Sequence, residues 1–267
     1  MNKTVLITGC SSGMGKATAE FLAKLDFKVY AASRTPEKIK NHPNITPIEL
    51  DITNPNSVKE TISKIDKIDI LINNAGYGLV STVEEMQEEQ MLKQYNVNVF
   101  GLLRVCKAVI PLMREQRNGT IINISSFLGR IGLPLLTFYN SSKYAVEGIT
   151  DSLRYELKDF NIRVHSIMPG FFDTNFARDN LVINPKTFEK NSPYSKIVST
   201  LAPTIVDQIN HGNDAKEIAK MILNIIEDEN FPAHETAGDK AKKFIPMKRE
   251  LSDEDFERRV REYYNLG

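Results

Sequence analysis

The sequence predicts an α/β fold, a doubly wound parallel sheet with helices on both faces, built as a single domain over residues 1–267. Three observations carry this expectation. Short β-branched runs alternate along the chain with stretches whose apolar residues recur at helical spacing, the pattern of repeated β-α-β units. The β-rich runs are apolar almost without alternation, Thr120–Ser125 (TIINIS) above all, as expected when both faces of a strand are covered. The chain's 267 residues, 41% of them apolar, suffice for one sizeable core without covalent staples.

Thr4–Thr8 (TVLIT) reads as the first strand, ended by Gly9. Met14–Leu25 places Met14, Ala17, Phe21, Leu22 and Leu25 at helical spacing. Lys28–Ser33 and Ile45–Leu50 are the next strands, and a helix led by Pro55 runs to Ile65. Ile68–Asn73 is the fourth strand. Glu84–Arg114 is helical in two pieces, with Pro111 near its end. Thr120–Ser125 is followed by a long amphipathic helix, Tyr139–Phe160, and by a sixth strand, Ile162–Ile167, which Pro169-Gly170 stops. From Phe171 to Asn213 the rhythm fails. Prolines are scattered there among Phe171, Phe172, Phe176, Phe188 and Tyr194, and so long an irregular stretch inside a compact domain is usually functional. Asp214–Glu227 resumes as a helix with Ile218, Met221, Ile222 and Ile225 on one face. The final stretch, Asp239–Gly267, holds 15 charged residues out of 29 and reads as a solvated extension. Within it Ser252–Asp255 marks a helix start, with Leu251 and Phe256 placed for a hydrophobic staple.

Charge and cysteine content exclude several function classes. Thirty-four basic residues balance 34 acidic ones, so no basic excess points to nucleic acid or an anionic membrane. The longest run free of Asp, Glu, Lys and Arg, Ile70–Val83, has 14 residues, too short for a membrane span. Two cysteines, Cys10 and Cys106, make no disulfide framework, and no CxxC or HxxxH pairing points to a metal site. With the first strand starting at Thr4 there is no room for a signal peptide, and the expectation is a soluble, cytoplasmic protein.

Thr8-Gly9-Cys10-Ser11-Ser12-Gly13-Met14-Gly15 lies between the first strand and the first helix. A strand-to-helix turn aims backbone N–H groups and the positive helix end at an anion, and glycines let a pyrophosphate approach the backbone. Turn chemistry alone is the competing reading. The spacing is Gly-xxx-Gly-x-Gly rather than the general dinucleotide fingerprint.

That turn, Asn73-Asn74-Ala75-Gly76 after the fourth strand, and Tyr139-xxx-Lys143 together resemble the short-chain dehydrogenase/reductase family, in its compact, hydroxysteroid- and retinol-dehydrogenase-like branch. The resemblance runs from Lys3 to Thr174 and thins beyond. It implies a Rossmann-type fold and a nicotinamide cofactor held by Gly9, Ser11, Ser12, Gly13, Met14 and Gly15, with Asn74, Ala75 and Gly76 closing the adenosine side. An acidic residue about 20 positions past the glycines would select NAD, whereas Ser33 and Arg34 stand there, and an arginine fork suits the 2′-phosphate of NADP(H). The rival reading pairs Arg34 with Glu37. Asp51 and Ile52 are expected beside the adenine, with Asp51 alternatively capping the following helix. After the sixth strand, Pro169, Gly170, Phe172 and Thr174 are expected around the nicotinamide.

Hydride transfer to or from an alcohol carbon needs an acid or base for the hydroxyl proton. Phenol, with a pKa of about 10, is too weak a base near neutrality. A cation ~4 Å away, at an effective dielectric of ~20, favours phenolate by ~4 kcal/mol, or roughly three pKa units. Tyr139 and Lys143, four apart on one helix, supply such a pair. The resemblance adds Ser126 to hold the substrate oxygen and Asn98 to hold a water linked to Lys143, with Lys143 also on the nicotinamide ribose. Ser125 is the rival of Ser126, and successive strand residues face opposite ways.

The segment after Thr174 sits where the family places a substrate lid. Leu133, Leu135, Leu136, Phe172 and Phe176 form either an apolar pocket or core and oligomer contacts. The expected substrate is a hydrophobic secondary alcohol and its ketone or aldehyde. A non-catalytic NADP(H)-binding regulator is the alternative, and an epimerase or dehydratase fits the glycine spacing poorly. The family pairs into homodimers or homotetramers through helices matching Glu84–Arg114 and Tyr139–Phe160. Its last strand falls on Ala233–Gly238, which is polar and poorly β-like, so that edge is in doubt.

Overall fold

In the computed structural model, which describes residues 3–174, 176 and 180–267, the first half of the chain folds in β-α-β rhythm. Strand β1 (Thr4–Thr8) leads to helix α1 (Gly13–Ala23), then β2 (Lys28–Ser33), β3 (Ile45–Glu49), α2 (Pro55–Ile62), β4 (Ile70–Asn73) and a short β5 (Gly78–Val80). Helix α3 (Glu88–Tyr95) passes through a π-helical turn, Asn96–Gly101, into α4 (Leu102–Gln116). Then come β6 (Gly119–Ile124), α5 (Thr137–Leu157) and β7 (Ile162–Pro169). The remainder holds β8 (Phe172–Asp173), β9 (Leu181–Ile183), α6 (Ser195–Asn210), β10 (Asn213–Asp214), α7 (Lys216–Glu227), β11 (His234–Ala237), α8 (Gly238–Glu250) and α9 (Asp253–Tyr264).

Seven strands form one sheet in the order β11-β7-β6-β4-β1-β2-β3, and every pairing is parallel. Alternate residues of each strand feed opposite layers. Val5 and Ile7 pack with Leu22 of α1 and Ile218, Ile222 and Ile225 of α7, while Leu6 packs with Val58 of α2, Val105 of α4 and Val146 of α5. That division explains why the strands carry so little polar alternation. The strand order reverses beside β1, so the crevice between the carboxyl ends of β1 and β4 is where a parallel sheet of this kind receives ligands. The helical stretch Glu88–Gln116 has a mean hydropathy of 1.4 in its most apolar window, long and apolar enough to span a membrane by length and composition. Here it serves as a layer helix, with Val105, Cys106, Val109 and Met113 buried in the core.

Three sequence expectations change. The stretch taken as irregular contains α6, a 16-residue helix with Pro203 inside it. Proline removes a backbone donor, so the sequence pattern breaks there, yet Val198, Leu201, Ile205 and Ile209 bury one face and hold the helix. The charged C-terminus is not a free extension. Its charges face outward while Ala241, Phe244, Ile245, Phe256, Val260 and Tyr264 join a third core cluster with α6. Ser252 caps α9 by accepting from the Asp255 N–H at 3.1 Å, as its sequence signature predicts, and Leu251 and Phe256 share that cluster.

The doubtful edge strand does form. β11 pairs with β7 from His234↔Ser166 to Ala237↔Pro169. Its polar residue is the reason. His234 sets Nδ1 2.9 Å from Glu147 Oε2 and Nε2 2.6 Å from Asp151 Oδ1, both carboxylates standing on α5. Strand propensity misses an element whose side chain is satisfied by partners 83 and 87 residues away.

The turn after β1 is stitched to the end of β4. Asn74 Nδ2 donates to the carbonyls of Thr8 (2.9 Å) and Gly9 (3.1 Å), and Thr8 Oγ1 accepts from the N–H groups of Asn74 and Ala75. A Cβ on Gly15 would stand 2.4 Å from both Asn74 Nδ2 and Gly9 O, so the helix can approach this closely only with glycine there. Overpacking of this kind costs about 1–3 kcal/mol, and Gly15→Ala should lower the urea midpoint accordingly. An unchanged midpoint would show that the turn yields freely. A second expectation concerns pH. Hydrogen bonds to Glu147, then to Asp151, hold the His234 imidazole pKa above its usual value, against burial. Its stabilising effect is therefore complete below pH 6.5 and is lost as pH rises through the raised folded value. Burial lowers the His165 pKa, so that residue acts in the opposite window, costing stability as pH falls below 6.5. The melting temperature should fall as pH climbs above 6.5 in the wild type and lose that dependence in His234→Gln, a contrast that calorimetry reads directly.

Candidate active site

Along the carboxyl ends of β1, β2 and β4 runs an open cleft of about 360 Å³. Gly9 and Gly13 adopt positive φ (75° and 56°), a backbone that side-chain-bearing residues resist, so the turn presents main chain to the cleft. Ser12 stands at the α1 N-cap with no side-chain cap bond, which leaves the first-turn N–H groups uncapped. Uncapped donors at a positive helix end are a ready cradle for a phosphate, and this cradle fits a dinucleotide's pyrophosphate. Ser11, Ser12, Gly13 and Met14 line the cleft on this side, and Ser33, Arg34, Asp51 and Ile52 line it beyond β2. Arg34 is exposed, and among the described residues it has no ion pair, Glu37 included. Asp51 Oδ1 accepts from Thr53 N (2.9 Å) and Thr53 Oγ1 (2.7 Å), so it shapes the local turn while Asn54 caps α2.

Tyr139 and Lys143 project from α5 into the far end of this cleft. Ser126, just past β6, lies against the Tyr139 hydroxyl and favours its ionised form, while its Oγ also accepts from Leu128 N at 3.1 Å. Ser125 also borders both cavities, with its Oγ lying towards Gly129. Lys143 is 6% exposed, donates to Ile124 O at 2.8 Å and stands 5.8 Å from the Tyr139 ring centre. Burial pushes the phenol up to about 12 and the ammonium down to about 8. The four-residue spacing predicts that Lys143 draws Tyr139 toward neutrality. Desolvation outweighs it in the protein alone, so Tyr139 rests as a phenol.

Asn98 lines neither cavity. Its amide nitrogen is fully engaged, donating to Tyr77 O at 2.9 Å and Ser142 Oγ at 3.0 Å, while its Oδ1 accepts from Tyr77 N at 3.1 Å. A water near Lys143 could bond only to the second lone pair of Oδ1 or to the main chain of this residue. Asn98 nevertheless approaches Lys143: Asn98 Oδ1 and Lys143 Nζ would lie 3.3 and 3.8 Å from a Cβ on Gly76. It sits in the π-helical turn, a local irregularity common at functional positions and without a sequence signature here.

A second cavity of about 70 Å³ opens beside Tyr139, and the two share Met14, Ser125, Tyr139, Thr174 and Phe176. Its walls are apolar: Phe127, Leu136, Phe171, Phe172, Ile205 and Ile209. Of the residues expected around the nicotinamide, Pro169, Gly170 and Phe172 border this second cavity and Thr174 borders both. Gly15 lines neither cavity and is a packing glycine. Of the five residues left open between pocket and core or oligomer contact, Leu136, Phe172 and Phe176 line the cavity, whereas Leu133 and Leu135 pack in the core alone. Leu135 holds a left-handed backbone, φ 64°, in the loop between Ser126 and Tyr139, where its carbonyl accepts from Ser81 N. Ile205 and Ile209 come from the helix that the sequence pattern hides, and Lys93, Val97, Asn180 and Val182 reach the cleft with no local motif to mark them. Among the described residues no cluster of three or more His, Cys, Asp or Glu could hold a metal ion. Cys10 is fully buried with its thiol pushed up to about 12, as suits a packing residue.

Comparison with known proteins agrees with this geometry. Residues 3–181 match the family model described as short chain dehydrogenase. A 3-ketodihydrosphingosine reductase of Bacteroides thetaiotaomicron is 37% identical over 88% of this chain and 87% of its own length. A 3-oxoacyl-acyl-carrier-protein reductase of Thermotoga maritima is 33% identical over 85% of this chain and 92% of its own. Among solved structures, a short-chain dehydrogenase from Streptomyces avermitilis superposes with a TM-score of 0.84 at 27% identity, covering 100% of this chain and 97% of that one. One from Burkholderia cenocepacia, solved in complex with NADP, gives 0.78 at 27% identity with 97% of each chain covered. With the parallel sheet, the glycine turn and the Tyr139–Lys143 pair already in place, the chain belongs to the short-chain dehydrogenase family of oxidoreductases.

Proposed function

We propose that this protein is an NADP(H)-dependent oxidoreductase that interconverts a hydrophobic secondary alcohol and its ketone or aldehyde. The observation that carries this reading is the convergence of Tyr139, Ser126 and Lys143 where the long cleft meets the apolar cavity. Bound nicotinamide supplies or accepts the hydride. The chain's own groups handle everything else. Ser126 donates to the substrate oxygen and stabilises charge developing there. Tyr139, a phenol in the resting protein, gives its proton to that oxygen during reduction and takes it back during oxidation. Lys143 holds a positive charge beside the phenol, and the walls around Phe172 and Phe176 keep water away.

Arg34 supports NADP(H) over NAD(H), since an exposed guanidinium without a carboxylate partner stands where a 2′-phosphate would lie. The NADP-bound relative is in keeping with it. The apolar walls of the second cavity support a hydrophobic substrate, and the names of the two curated relatives describe ketone reductases. Exposed Leu92, Phe100 and Leu103 beside α4, with Tyr144 and Tyr155 on α5, support assembly into a homodimer or homotetramer.

Two measurements test this reading. Tyr139→Phe should lower kcat for the best ketone found by about 100-fold to 10,000-fold, the usual worth of a positioned acid, with NADPH binding retained. Full turnover by that variant would refute the mechanism, and no turnover by the wild type on any carbonyl would favour a regulatory binding protein. Arg34→Ala should weaken NADPH binding about tenfold or more, given the strength of charge-assisted bonds, and leave NADH almost unchanged. Nicotinamide fluorescence reads both, and tighter binding of NADH than NADPH by the wild type would overturn the cofactor assignment.

A further inference from the structure

We propose that Glu147 is a positioning residue for this reaction: its buried carboxylate, one helical turn beyond Lys143, forms with Arg130, His234 and Asp151 a charge cluster that keeps the Lys143 ammonium charged inside the protein. The inference rests on reading Tyr139 and Lys143 as the reacting pair.

Tyr139, Lys143, Glu147 and Asp151 follow one another at four-residue steps along α5, so each neighbours the next on the helix surface, with Lys143 and Glu147 on its buried side and Asp151 turned toward solvent. An ammonium carries three donors, and the hydrogen bond recorded for Lys143 Nζ goes to Ile124 O alone. Among the described residues no carboxylate lies within ion-pair distance of it. Burial therefore weighs on this lysine, and Glu147 is the group that pulls the other way. Glu147 is itself 2% exposed, and such a carboxylate would ordinarily pick up a proton. Its Oε2 instead accepts from Arg130 Nη2 (3.0 Å), His234 Nδ1 (2.9 Å) and Ser166 Oγ (3.2 Å), which hold it ionised. Its Oε1 has no partner. Ser125, which lines both cavities, lies near enough to favour the ionised form without closing a hydrogen bond. The cluster thus reaches from the reacting end of α5 to Asp151, whose side chain is 46% exposed.

The surrounding charges are few. Tyr139, Lys143 and Asp151 face the cluster from α5, Arg130 from the turn after β6, and His234 from β11. His165 on β7 bonds Pro232 O and feels Arg163, Arg154 and His234 as like charges, and on the outer side Tyr144 of α5 feels Arg130 together with Lys248 of α8. With His234 protonated, Arg130 and His234 balance Glu147 and Asp151. When His234 loses its proton the cluster carries one net negative charge. Deprotonation of His234 therefore strengthens the negative field that helps Lys143 keep its proton.

The test measures NADPH binding by nicotinamide fluorescence and acetophenone reduction across pH, in the wild type and in Glu147→Gln, Glu147→Asp, His234→Gln and Tyr139→Phe. In Glu147→Gln the alkaline limb of NADPH binding should move down by about one pH unit, the usual effect of losing one opposite charge at short range. Glu147→Asp should restore most of the shift. An alkaline limb unmoved in Glu147→Gln, with only a lower melting temperature, would reduce Glu147 to a clamp between α5 and β11 and overturn the proposal. Should Glu147→Gln fail to fold, His234→Gln decides, since it keeps the Arg130–Glu147 pair. It should erase the change in NADPH binding that accompanies imidazole titration above pH 6.5, and a curve identical to the wild type would overturn the proposal as well. Tyr139→Phe separates the two readings. If that variant still turns over, the assignment of the site fails. If it does not, while Glu147→Gln keeps the wild-type limb, only the role of Glu147 fails.

Discussion

A lysine held 6% exposed at the reacting end of the sheet is the constraint on which the rest of the site depends. Taking an ammonium out of water costs several kcal/mol even after relaxation, so the fold must return polar contacts to it. It does so with the Ile124 carbonyl, left free where β6 ends, and with the charge of Glu147 one turn away. The buried network Asn73–Asn123–Thr150 then ties β4 and β6 to the same helix, fixing where α5 sits. Lys143 is therefore positioned by two strands and a helix, which is the rigidity that a proton-transfer geometry requires.

The same economy governs the cleft. In a parallel sheet every strand ends on one side, so the turns after β1, β2, β3 and β4 converge without any dedicated binding element. Asn74 bridges two of those turns with its carboxamide, donating to the carbonyls of Thr8 and Gly9. Glycine at three positions keeps main chain, not side chain, against the space. The net charge of zero fits this arrangement, because a bound phosphate meets local donors and Arg34 rather than a general positive field.

How much of this was legible in the sequence differs by region. β1 to β4, β6 and β7, with the helices between them, follow from periodicity and punctuation, since each is a local pattern read on a continuous segment, whereas the three-residue β5 has no such pattern. Their ends moved by only a few residues. The site residues on those segments, from Gly9 to Lys143, come together as the resemblance implies, although Gly15 proves to be packing and Asn98 has its carboxamide committed to Tyr77 and Ser142. Beyond Thr174 the local signals mislead. Pro203 conceals a helix, 15 charges conceal a buried face, and a histidine makes a polar segment look unlike a strand.

The sequence by itself determined the layered α/β fold, the glycine turn, and the Tyr139, Lys143 and Ser126 positions. Each depends on residues near one another in the chain, where spacing translates directly into geometry. Tertiary structure alone decided which face of α6 walls the apolar cavity, that β11 forms at all, and that burial sets the resting state of Tyr139 and Lys143. Those outcomes depend on desolvation and on partners far apart in sequence, such as His234 with Glu147, and neither burial nor distant pairing is written in local spacing.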